Sequence, residues 1–313
     1  MPLNWKENQV TDAHDTRGNW GRWGEDDERG ALNLLSDDLV LEALKGCRTG
    51  KVYNLGVPIQ RAGVPNSTEY RGTPMRLTMV NHSDEAMYEK FGADPGVGAN
   101  EDLLVFASHT TTHIDSLCHV YADQSIYNGF PHDGMQAYAG AARCGIEKAG
   151  GFATRGVLVD VAGYREVASL ELGHVITGEE FKATLAAQGT ELRAGDAVII
   201  RTGWLEYFFA SGGGPEIDMS NEPGIGFEVA ELLHEADVAV VAADNTAVEA
   251  LPFDRGKFLG VHIELLVKRG IHLIEHVVTE ELARERCREF LLITAPLLIT
   301  GATASPVNPI AIG

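Results

Sequence analysis

One run of eleven residues restricts this chain more than any other. His109 to His119 reads His-Thr-Thr-Thr-His-Ile-Asp-Ser-Leu-Cys-His, with every histidine and the aspartate at an odd position. Along an extended strand side chains alternate faces, so residues two or four apart point the same way. His109, His113 and Asp115 then share one surface, with His119 on the same side just beyond. A helix would also align His109 with His113, but at about 100° per residue it swings Asp115 to the far side. Three consecutive threonines, β-branched and stiff at χ1, favour the extended form. Two imidazoles and a carboxylate leave coordination positions open, as a catalytic divalent cation requires. The competing reading is a polar strand whose histidines are only solvated or hydrogen-bonded. Four donors in one register outweigh it.

A chain of 313 residues can bury such a strand in one large domain or two small ones. No run approaches the roughly 18 apolar residues of a membrane span. Met1 to Asn8 lacks a basic segment followed by an apolar one, so a cytoplasmic protein is expected. The net charge of −20 comes from 45 acidic and 25 basic residues. Such a surface repels phosphate backbones and anionic lipid, which argues against nucleic-acid and membrane partners. A small-molecule substrate, neutral or held by the metal, is compatible with it. Cys47, Cys118, Cys144 and Cys287 are far apart and form no Cys-x-x-Cys pair, against a disulfide framework or thiolate zinc site. Cys118, at an even position, is expected to point into the core rather than act as a nucleophile.

Taken in order, residues 1–50 read as an N-terminal extension packing on the main domain or on a partner subunit, and 51–313 as the main domain. Trp20 and Trp23 are too costly to leave wet and are candidate substrate-pocket residues. Ser36 is an N-cap for a helix with an apolar stripe at Val40, Leu41 and Leu44. Residues 51–59 read as a strand, and 60–100 as a long functional loop over a site. Residues 102–107 read as a short buried strand feeding the histidine motif. Apolar runs at 155–161, 196–202, 238–243, 271–274 and 291–298 read as further strands. Helices are expected from Thr177, as a capping box with Glu180, and over 227–235. The glycines at 212–214 follow no phosphate-loop pattern, and residues 301–309 read as a turn-rich tail. Strands alternating with helices give an α/β chain with mixed sheets and no linker that divides it.

No Gly-x-Ser-x-Gly elbow and no His-Glu-x-x-His occurs. What remains is a divalent cation, which lowers the pKa of a bound water from about 15.7 to about 7 and polarises a carbonyl. Hydrolysis of an amide-type bond suits both effects. His119, on the ligand face, is the candidate base. His262 and Glu275 flank apolar segments as a distal ligand pair might. His272 and His276 lie beside Glu275, and the sequence leaves open which histidine faces the metal.

The His109–His119 segment resembles the His-x-Gly-Thr-His-x-Asp-x-Pro-x-His signature of the cyclase-like metal-dependent hydrolases, which include bacterial kynurenine formamidase, isatin hydrolase and some polyketide cyclases. Thr111 stands where the signature has glycine and Leu117 where it has proline. The resemblance extends to Trp20-Gly-Arg-Trp-Gly, Tyr127-Asn-Gly, Arg155-Gly-Val-Leu-Val-Asp, Arg201-Thr-Gly-Trp and Gly301-Ala-Thr-Ala-Ser-Pro, and points to the longer branch of the family. It implies a swivelling β/β/α-type single domain, assembled as a homodimer or larger. It also implies Mn2+ or Zn2+ held by His109, His113 and Asp115. One branch adds a second metal on residues matching Asp115, His119, His262 and Glu275; another uses one metal, with the residue matching His119 as base.

The expected function is a metal-dependent amidohydrolase. It would cleave a non-peptide C–N bond, in a small cyclic amide or an N-acyl arylamine, by metal-activated water. Ring closure or dehydration on the same scaffold is the alternative, and a binding module with purely structural ions a third possibility.

Overall fold

Four of the five apolar runs become the parallel centre of a nine-stranded sheet in the computed structural model, which describes residues 18–65, 69–214 and 217–313. In spatial order the strands are Val52–Asn54, Ile310–Ile312, Glu289–Thr294, Phe152–Asp160, Ala197–Arg201, Val240–Ala243, His272–Glu275, His113–Asp115 and Ala304–Pro306. The four strands from Phe152–Asp160 to His272–Glu275 run parallel, and every other pairing is antiparallel. Parallel strands covered on both faces read as continuous apolar sequence rather than as an alternation. Ala197–Arg201 and Val240–Ala243 are accordingly buried at every residue. Alternate side chains feed two cores. Val198, Ile200 and Val241 pack with Phe181, Val229 and Leu233 on one face, whereas Ala197, Ile199 and Val240 pack with Leu32, Leu282 and Phe290 on the other. The chain is thus a mixed α/β fold with a single sheet at its centre.

The helices form where local chemistry dictates. Ser36 accepts from the Leu39 amide and opens Asp37–Gly46, and Thr177 accepts from the Glu180 amide and opens Gly178–Gln188; the expected capping box is not closed, because the Glu180 carboxylate pairs with Arg165 and His174. Asp37–Gly46 lies across the strands Phe152–Asp160 and Glu289–Thr294. It buries Ala43 and leaves Leu41 and Leu44 exposed, so the stripe read from the sequence is not its packed face. The helix Phe227–Glu235 has the bounds the sequence predicts.

Two expectations fail. Residues 102–107 do not form a buried strand: Glu101–Val105 pairs only with Met75–Val80, in a two-stranded ribbon exposed along nearly its whole length. An apolar run signals burial only where a second layer covers it, and here none does. The tail is also not merely turns. Ala304–Pro306 pairs with the motif strand, and Ile310–Ile312 bridges two strands at the far side of the sheet. Among the described residues no helix is long and apolar enough to cross a membrane.

Candidate metal centre

The motif strand His113–Asp115 lies between His272–Glu275 and Ala304–Pro306, antiparallel to both. His113 and Asp115 project to one face, as alternation requires. Glu275 is the direct cross-strand partner of His113, and opposed residues in an antiparallel pair share a face. That register explains how a glutamate 162 positions downstream reaches the cluster.

His109 is not part of the strand. The backbone turns at Thr111, whose φ of +59° lies in the left-handed region that disfavours a β-branched residue. The expectation of one extended ribbon from His109 is therefore corrected. The turn is held from outside. Thr112 Oγ1 donates to the His276 carbonyl at 2.6 Å and accepts from the Val57 amide at 2.8 Å. The Thr111 carbonyl accepts from His113 Nδ1 at 2.8 Å and from His276 Nδ1 at 3.0 Å. Arg71, from the segment read as a loop over the site, donates to the His109 carbonyl at 2.9 Å.

Acceptor-only partners place a proton on Nδ1 of both His113 and His262. His113 Nδ1–H points at Thr111, so the Nε2 lone pair faces Asp115 Oδ1 at 3.5 Å and Glu275 Oε2 at 3.2 Å. His109 Nε2 meets Thr303 Oγ1 at 3.0 Å, leaving Nδ1 at 3.0 Å from Asp115 Oδ1. His262 Nδ1–H points at Glu249 Oε1 at 2.5 Å, leaving Nε2 at 3.4 Å from Glu275 Oε1 and 3.9 Å from Asp115 Oδ2. His109 Nδ1, His113 Nε2 and both Asp115 oxygens are buried without a hydrogen-bond partner. Buried polar atoms are rarely left so. Lone pairs converging on carboxylate oxygens repel unless a positive charge lies between them, and this donor set fits a divalent cation. Three overlapping groups could hold one: His109, His113 and Asp115; His113, Glu275 and His276; and Asp115, His119 and His262. Glu275 borders the first and the last through His113 and His262.

Electrostatics agree. Burial alone would raise the Asp115 carboxyl, but the imidazoles of His119, His109 and His113 hold it well below the usual carboxylate range. Glu275 is likewise drawn down to about 2 against burial, chiefly by His113. Burial keeps His119 neutral, lowered to about 3, and its ring lies 4.0 Å from that of His109. His262 is raised to about 10 because Glu249 and Glu275 outweigh burial.

The sequence left open which of the histidines beside Glu275 faces the metal, and the contacts of His272 and His276 differ. Glu275 faces the cluster, while His272 Nδ1 donates to the Asp115 carbonyl at 2.8 Å. His276 is occupied by Thr111 and, at 3.1 Å, by Thr246 Oγ1. Cys118 is buried and its thiol is pushed up to about 11 by burial, as suits a packed rather than a nucleophilic cysteine. Trp20 donates to the Val267 carbonyl at 2.6 Å, and Trp23 lies under the Arg22 guanidinium at 4.8 Å. Neither lines the cavity of about 430 Å³ beside His119, whose walls include Tyr121, Ile126, His132, Met135, Arg143 and Thr303. Two contributors escape sequence reasoning. Thr303 falls in the supposed turn-rich tail, and Glu249 sits within the apolar run 247–251. An acid inside such a run is the signal that could have found Glu249.

Comparison with known proteins agrees with this geometry. Residues 53–250 match the family model "Cyclase: Putative cyclase". The crystal structure of a novel cyclase is 33% identical, with a TM-score of 0.85 over 95% of this chain and 97% of that one. An isatin hydrolase bound to the product analogue thioisatinate superposes with a TM-score of 0.62 at 16% identity, covering 88% of this chain and 98% of that one. A predicted metal-dependent hydrolase from Bacillus stearothermophilus gives 0.52 at 17% identity, covering 83% and 97%. The last two likenesses speak to fold alone. No curated protein matches the chain. With its family model spanning residues 53–250 and a 33% identical relative alike over nearly the whole length, this chain is a member of the cyclase family of enzymes.

Proposed function

We propose that the protein is a metal-dependent hydrolase cleaving a C–N amide bond in a small cyclic amide or N-acyl arylamine. One observation carries the reading: buried, hydrogen-bond-free donors of His109, His113 and Asp115 converge next to a cavity of about 430 Å³ that reaches His119. His109, His113 and Asp115 hold the first cation, Mn2+ or Zn2+, since carboxylate and imidazole donors suit both. Bound there, it supplies Lewis acidity to a carbonyl and acidifies a water. A second position draws on Asp115, His119, His262 and Glu275.

The chain's own residues do the rest. The Thr111 carbonyl fixes the proton on His113 Nδ1, so that ring turns Nε2 inward, and the Thr303 hydroxyl anchors the outer nitrogen of His109. The stacked rings of Tyr121 and His132, 4.5 Å apart, and the apolar Ile126 and Met135 give a flat aryl group a wall to lie on. With His119 free of metal, its neutral imidazole takes the water's proton and returns it to the departing nitrogen. Two roles for His119 exclude each other. His119→Ala that keeps its full metal content while turnover falls by about 10² to 10⁴ makes it the base; loss of an ion makes it a ligand. Turnover of formanilides or cyclic amides by chelator-stripped protein would overturn the proposal.

A second reading, ring closure or dehydration without consumption of water, is favoured by the 33% identical relative being described as a novel cyclase. Reaction in ¹⁸O-water separates the two, since only hydrolysis places label in the product carboxylate. As to assembly, we take the chain to be a homodimer or larger. The exposed Met75, Leu77, Met79 and Leu103–Val105 support this, and light scattering tests it.

A further inference from the structure

The second cation position has a donor that differs from the others in what stands behind it. His109 and His113 are backed by neutral oxygens, a threonine hydroxyl and a peptide carbonyl. His262, unlike these two, is backed by a carboxylate. Glu249 Oε1 takes the Nδ1 proton at 2.5 Å and also accepts from the His262 amide at 3.2 Å, while Oε2 accepts from the Val261 amide at 3.1 Å. Both residues are buried. The carboxylate therefore caps the start of the segment Gly260–Lys268 and aims the ring that this segment carries. A carboxylate behind an imidazole raises the basicity of the opposite nitrogen as well as orienting it.

We propose that Glu249 is a positioning residue for the second cation, holding His262 Nε2 toward Asp115 and Glu275 and raising its affinity for metal, so that it governs whether the site holds one ion or two. The inference rests on the two-ion reading above. Nothing in it requires Glu249 to touch metal or substrate.

Calorimetric titration of chelator-stripped protein with Mn2+ alone tests it. Wild type takes up two ions per chain. Glu249→Gln, whose amide oxygen can keep one of the two backbone bonds, keeps one step at the wild-type Kd and weakens the other by 10- to 100-fold. His262→Ala loses that same step, and Glu249→Gln added to His262→Ala changes the remaining one no further. If Glu249→Gln does not fold by circular dichroism, Glu249→Asp, which shortens the reach by one methylene, makes the same comparison. Two unchanged binding steps in the folded variant overturn the role of Glu249. A wild type that takes only one ion overturns the two-ion reading itself.

Discussion

The two halves of the metal centre reach the same point by different routes. His109, His113 and Asp115 come from seven consecutive residues, their spacing set by one short strand and the turn before it. His262 and Glu275 come from a helix start and a parallel-sheet strand, and meet the first group only because His272–Glu275 pairs antiparallel with His113–Asp115. The local half is backed by neutral groups, and the distal half by the charged Glu249. A local constellation survives small shifts of the fold. A distal one depends on the whole sheet keeping its register, and it draws on a buried carboxylate to hold its direction.

Breaking the residue common to both halves has the largest effect. Asp115→Asn removes the charge that the surrounding imidazoles stabilise, and elemental analysis is expected to find both ions gone. Amide turnover should fall below about a thousandth of wild type, given the pKa drop from about 15.7 to about 7 that the cation provides to water. Removing only the distal half gives a smaller, separable loss. His262→Ala should retain one ion and cost about 3 kcal/mol in chemical denaturation, because Glu249 is left buried without its partner.

Further from the metal, Glu222 sharpens the contrast between backing groups. Burial raises its carboxyl to about 8 from an ordinary 4.5, and it pairs with the Thr246 amide at 2.9 Å and hydroxyl at 2.7 Å. A folded-state pKa raised in this way favours folding fully below about 4.5, and the benefit is lost as pH rises through 8. Glu222→Gln mimics the neutral acid. Thermal melts from pH 5 to 9 should therefore show the variant losing less stability than wild type as pH rises, and parallel curves would contradict the assignment. The smallest effect is expected at the turn of the local half. Thr111→Gly relieves the left-handed φ of +59° and a buried hydroxyl without a partner, and should stabilise the fold by about 1 kcal/mol in denaturant titration.

How much of this was legible follows the same division. The alternation of His113 and Asp115, the caps at Ser36 and Thr177 and the buried central strands were readable because each depends on neighbours in sequence. The turn at Thr111 was not, since three β-branched threonines favour extension and only the clasp from Val57 and His276 overrides it. Glu101–Val105 has the composition of a buried strand, but burial depends on what covers it. Whether His272, Glu275 or His276 faced the cation was a matter of register with a strand some 160 residues earlier, which no local pattern records.

Everything in this centre turns on a cation held by His109, His113 and Asp115. The most direct measurement is anomalous diffraction from crystals grown with Mn2+. An anomalous peak is expected within bonding distance of both imidazole nitrogens and an Asp115 oxygen. Crystals equally rich in Mn2+ that show no peak there, with those rings turned to other partners, would contradict it.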